Sequence, residues 1–103
     1  MAVQTKEEVF ALLRQHGEQF RRFGVASLSV FGSFARGEPN GESDVDILVE
    51  FEEGRKTFDN FMNLADYLEE LFGRKVDLLT PESLNPRFGH YILEEAVHAT
   101  LNA

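Results

Sequence analysis

The sequence predicts a small α/β (α+β) domain, a mixed sheet of three to four strands flanked by helices. Two observations carry this. Apolar residues recur at helical spacing in long stretches near the start and middle of the chain. Between and after these lie three short runs rich in Val, Leu, Ile and Phe, bounded by glycines and polar turns. The resulting order, αβ(α)βαβα, belongs to the mixed classes. At 103 residues the chain has the length of one core, so residues 1–103 read as a single domain.

The first helix is expected over residues 5–23, where Val9, Leu12, Leu13, His16, Phe20 and Phe23 share one face. Thr5 followed by Glu8 fits a capping box, and Gly24 suits the left-handed residue that ends a helix. Gly17 costs about 1 kcal/mol inside a helix and marks a place for a kink or break. Residues 25–31 form a short strand, Gly32-Ser33 turns the chain, and residues 34–37 suffice for one helical turn. A polar loop over 38–43 leads into a second strand at 45–51 and a charged turn at 52–56. The second helix spans residues 58–72, with Phe58, Phe61, Leu64, Ala65, Leu68, Leu71 and Phe72 inward and Gly73 closing it. A third strand is expected over 75–80, a turn over 81–86, and a last helix from about residue 87 to about residue 100.

Composition narrows the function. Cysteine is absent, which excludes a disulfide framework, a zinc ribbon and a thiol nucleophile and suits a reducing, cytoplasmic setting. No apolar run approaches the ~20 residues of a membrane span. A net charge of −8 disfavours direct nucleic-acid binding, whose affinity rests on Lys and Arg neutralising phosphates. An acidic protein can still hold a polyphosphate when a metal ion stands between them.

Three features bear on chemistry. Gly32-Ser33 ends a strand and opens a helical turn, where glycine allows a phosphate close approach and the serine hydroxyl adds a donor; alone, it reads more simply as a tight turn with Ser33 as N-cap. Asp44 and Asp46 are two apart at the entry to a strand and so project to one face, with Val45, Ile47 and Val49 on the other. Carboxylates that close repel, and a cation with all-oxygen ligation, Mg²⁺ or Mn²⁺, relieves the conflict; alone, the pair reads more simply as Asp44 capping the loop with Asp46 solvated. Asp77 is a lone carboxylate in the third strand, either a charge guarding an edge or, if that strand lies beside the second, a partner of Asp44 and Asp46.

The spacing joins these features. Ten residues, 34–43, separate Gly32-Ser33 from Asp44-Val45-Asp46, and a third strand aspartate follows after a helix. Phe31-Gly32-Ser33-Phe34-Ala35-Arg36-Gly37, Ser43-Asp44-Val45-Asp46-Ile47-Leu48-Val49, Lys75-Val76-Asp77-Leu78-Leu79 and Ile92-Leu93-Glu94-Glu95-Ala96-Val97 resemble the DNA polymerase beta-like nucleotidyltransferases. The nearest likeness is to the minimal (MNT) antitoxins paired with HEPN-domain toxins, and it covers essentially the whole chain.

The resemblance implies a polymerase-beta-like fold and two Mg²⁺ ions, with Mn²⁺ as a substitute, held by Asp44, Asp46 and Asp77 as catalytic and metal residues. It implies Gly32 and Ser33 around the phosphates of ATP. Arg36 is assigned there to nucleotide binding, although it can also pair with Glu38 or Glu42. The implied reaction moves AMP from ATP to a hydroxyl, a tyrosine's by expectation, of a HEPN toxin in a hetero-oligomer. A non-catalytic antitoxin that acts by covering its partner is the competing class; transfer to a small molecule fits less well, since such enzymes carry a second domain. His16 reads as a core-edge histidine, and His90 and His98 show no metal-ligand spacing. Arg21-Arg22 and Arg55-Lys56 read as solvated surface charge, and Arg74-Lys75 is too short to be a nucleic-acid patch. Phe34 is the one phenylalanine expected beside a base.

Overall fold

The computed structural model describes residues 2–87 and 89–101. Its elements run α1 (Lys6–Gln15), α2 (Gly17–Arg22), β1 (Val25–Phe31), α3 (Gly32–Arg36), β2 (Val45–Phe51), α4 (Phe58–Phe72), β3 (Val76–Leu79), a 3-10 turn (Pro81–Ser83), α5 (Gly89–Glu95) and β4 (Val97–His98). The sheet has the order β3-β2-β1-β4. β1 pairs antiparallel with β2 and β4, whereas β2 and β3 are parallel, joined by α4 as the crossover that a parallel pair requires.

Alternation divides the sheet into two faces. Leu28 and Val30 of β1, Val45, Ile47 and Val49 of β2, and Val76 and Leu78 of β3 are buried against Val9, Leu13 and Phe20 from the first two helices and Leu64, Leu68 and Phe72 from α4. A β-bulge between Val25 and Ser27 shifts the register, so Val25 also enters this core. The opposite face carries Ser27, Ser29 and Phe31, then Asp46, Leu48 and Glu50, then Asp77 and Leu79.

The capping box at Thr5 forms as expected, with the Glu8 N–H donating to the Thr5 hydroxyl and the Thr5 N–H donating to the Glu8 carboxylate. Gly24 and Gly73 both adopt positive φ where their helices end. The expected single helix over 5–23 is broken at His16, whose backbone (φ −105, ψ 19) leaves the helical region one residue before Gly17. The break lets Phe20 bury completely and brings the His16 ring to the Tyr67 hydroxyl, 2.8 Å away, a structural role as expected.

Three further expectations are corrected. Phe58 is 78% exposed, because the first residue of α4 overhangs the rim of the core. The last helix ends at Glu95, and Val97–His98 pairs with β1 as a fourth strand, the Ala99 N–H continuing it to the Leu28 carbonyl. His98 therefore lies on a strand with its ring 3.3 Å from the Ser29 hydroxyl. The expected helix also included Phe88, which lies outside the described residues. No helix among those described is long and apolar enough to cross a membrane.

Candidate active site

Strand register assembles the acidic row. Asp46 lies opposite Phe31 on β1 and beside Asp77 on β3, neighbouring strands being about 4.8 Å apart. Asp44 precedes Asp46 by two residues and sits on the same face. Asp46 is half-buried, and Asp44 and Asp77 are exposed. Burial first, then the charges of Asp77, Asp44 and Glu95, push the Asp46 carboxyl up from 3.8 to about 6, against a lowering pull from Arg36. Asp46 thus feels the charge of three other carboxylates.

Gly32 follows Phe31 and takes φ +73, and a Cβ there would overlap the Asp46 carboxylate. Glycine is thus required twice over, by its backbone angle and by the acid packed on it. Ser33 and the rest of α3 follow at once, and Gly37 ends the helix with φ +74. Gly32-Ser33 and the three aspartates therefore share one end of the sheet.

The Arg36 guanidinium pairs with Glu95 at 2.6 Å rather than with Glu38 or Glu42, tying α3 to α5, and its charge still reaches Asp46. Phe34 is fully buried beneath the Arg74 guanidinium, 5.3 Å from its ring centre, so it does not stand beside a base; the short α3 turns it inward with Ala35.

Two residues of this site escaped the sequence reading. Arg74 donates from Nε to the Val3 carbonyl (2.6 Å), and from Nη1 to the carbonyls of Asn40 (3.1 Å), Gly41 (3.3 Å) and Ser43 (2.9 Å). It pins the loop that ends at Asp44, a task suited to the fixed fork of a guanidinium. Glu95 adds charge to the acidic row from a helix distant in sequence. Nothing local marked either residue; the repeated Glu94-Glu95 in the terminal segment was the only hint.

Among the described residues, no three His, Cys, Asp or Glu side chains already converge as a ligand set on one point, as repulsion among like charges favours. The donor chemistry of the row nonetheless fits a hard divalent cation: carboxylate oxygens alone, one of them half-buried and destabilised by its neighbours.

A family model described as a nucleotidyltransferase domain matches residues 13–98. The protein adenylyltransferase MntA of Thermococcus cleftensis is 44% identical over 99 residues, which cover 95% of this chain and 99% of that one. A solved structure described as a minimal nucleotidyltransferase matches with a TM-score of 0.80 at 37% identity, covering 94% of this chain and 98% of the other. Two toxin–antitoxin structures share the fold at lower identity. One, with AMP-PNP, has a TM-score of 0.65 at 20% identity and covers 92% of this chain and 72% of the other. The second holds a tri-AMPylated Shewanella oneidensis HEPN toxin with an MNT antitoxin, with a TM-score of 0.60 at 17% identity over 86% of this chain and 70% of the other.

Proposed function

Because the chain belongs to the nucleotidyltransferase domain family, we propose that it is an Mg²⁺-dependent protein adenylyltransferase that moves AMP from ATP to a tyrosine hydroxyl of a HEPN-domain toxin and so acts as that toxin's antitoxin. The observation that carries the reading is the acidic row itself. Asp46 is pressed by Asp77 on the next strand and by Asp44 two residues before it, all beside a glycine that no other residue can replace without striking Asp46. A protein that only covers its partner has no use for carboxylates held against their own repulsion. The name of the Thermococcus relative and the AMPylated toxin of the Shewanella complex support the acceptor class.

The transfer joins the acceptor oxygen to the α-phosphorus of ATP, breaks the bond to the leaving pyrophosphate, and releases the hydroxyl proton. Divalent cations bound here, Mg²⁺ or Mn²⁺, would neutralise the charge developing on the phosphoryl oxygens. Asp44, Asp46 and Asp77 hold them. Gly32 and Ser33 lie against the phosphates of the leaving group, and the charge of Arg36 adds to their neutralisation. Asp77 stands on the far side of Asp46 from Gly32, so it faces the acceptor and receives its proton. The acceptor surface comes from the partner, in a hetero-oligomer, a reading supported by the toxin–antitoxin complex that shares this fold.

Thermal unfolding tests the metal and nucleotide assignment. Mg²⁺ with ATP raises Tm by ligand linkage; Asp44→Asn with Asp46→Asn removes that rise while the protein stays folded. An unchanged rise in the double variant would contradict the assignment.

A further inference from the structure

The open face of the sheet carries a cavity of about 200 Å³ next to the acidic row. Register lays out its floor. Ser29 and Leu48 form the row after Phe31 and Asp46, and Ser27 and Glu50 the row after that. Leu93 of α5 and His98 of β4 close its sides. The cavity thus begins two residues from Asp46 on the same face, and Glu50 lies four residues along β2, about 13 Å from it. That span matches a ribose and a purine laid end to end.

The direction is informative as well. An in-line displacement sets the acceptor oxygen, the α-phosphorus and the leaving pyrophosphate on one line. With pyrophosphate at Gly32-Ser33 and acceptor at Asp77, the line runs across the strands, from the end of β1 over Asp46 to β3. The remaining large substituent on the α-phosphorus, the nucleoside, must leave sideways, and the cavity extends in that direction, along β1 and β2.

The lining suits a base. Leu48 and Leu93 offer apolar surface to the ring faces, and Leu93 is 53% exposed at the rim. Glu50 lies at the far end, with the Ser27 hydroxyl 3.4 Å from its carboxylate. A carboxylate accepts hydrogen bonds and donates none, so it favours a base edge bearing an amine.

We propose that this cavity seats the adenine of ATP, with the Glu50 carboxylate accepting from the exocyclic 6-amino group. The proposal rests on the nucleotidyltransferase reading above. Its test is calorimetric titration of the whole chain, with Mg²⁺, using ATP, purine riboside triphosphate (ATP without the 6-amino group) and inorganic tripolyphosphate. The wild type binds ATP about tenfold more tightly than purine riboside triphosphate, the scale of one hydrogen bond to a charged group. Glu50→Ala, at an exposed position, brings ATP down to the level of purine riboside triphosphate and leaves tripolyphosphate unchanged. Ala96→Met, which narrows the same cavity, weakens both nucleotides and not tripolyphosphate. An ATP preference that survives Glu50→Ala, or a wild type blind to the amine, overturns the base assignment while tripolyphosphate binding upholds a phosphate site. Failure of ATP and tripolyphosphate alike to bind overturns both readings.

Discussion

Asp46→Asn removes the charge that the site holds at greatest cost, and its effect on stability has a definite sign and pH window. The native Asp46 carboxyl titrates at about 6 against an ordinary 3.8. Between those values the native state holds a proton that the unfolded chain has lost, so the contribution of Asp46 to stability is most favourable at low pH, declines as pH rises from about 4 to about 6, and then levels off. A shift of about 2 units is worth about 3 kcal/mol at full strength. Asp46 is only half-buried, and solvent screening reduces this to about 1–2 kcal/mol. The asparagine variant carries no such charge and should match the wild type near pH 4, then exceed it by about 1–2 kcal/mol from pH 7 upward. Urea unfolding of both proteins in EDTA, at half-unit steps from pH 4 to pH 8, reads the difference. A gap that stays constant with pH, or a variant less stable at pH 8, would refute the claim that Asp44, Asp77 and burial together strain this carboxylate.

Two more substitutions probe what surrounds the row. Gly32→Ala and Gly37→Ala both place a side chain at positive φ, which costs about 1–2 kcal/mol by itself, but only Gly32 packs on Asp46, whereas the space at Gly37 is open. Urea unfolding should therefore show the larger loss, about 2–3 kcal/mol, at Gly32; equal losses would mean that Asp46 does not press on this backbone. Arg74→Ala should cost about 1–2 kcal/mol and weaken Mg²⁺–ATP about tenfold by calorimetry, because the loop ending at Asp44 loses its anchor. Arg74→Lys should recover little of either, since one ammonium cannot span four carbonyls.

Much of this architecture was legible in the sequence for a local reason. The strands at Val25–Phe31 and Val45–Phe51 and the helix at Phe58–Phe72 fall at the expected residues, because periodicity and glycine punctuation are properties of neighbouring positions. The spacing of Gly32, Asp44, Asp46 and Asp77 was equally plain, and strand register then set Asp46 beside Asp77 on neighbouring strands. What depended on distant partners was not legible. Val97–His98 is a strand only because β1 offers it an edge, so its apolar residues read as the end of a helix. Phe58 sits at helical core spacing, but the core stops short of it. Arg36 chose Glu95, 59 residues away, over the acids beside it, and the grip of Arg74 on the 38–43 loop crosses more than thirty residues. In the sequence Gly32 reads as the residue that lets a phosphate come close; its first steric partner is the protein's own Asp46.

Covalent transfer to the partner is the central claim, and intact-mass spectrometry of a HEPN toxin incubated with this protein, ATP and Mg²⁺ tests it most directly. The toxin should gain the mass of one adenylate for each transfer. It should do so with substoichiometric protein, and its inactivation should persist after the two are separated. Asp77→Ala should abolish the gain even where the complex still forms, because the proposed metal ligand and proton acceptor on the nucleophile side are lost together. Neutralisation without any mass gain, indifferent to ATP and surviving Asp77→Ala, would contradict the account and leave an antitoxin that works by occupancy alone.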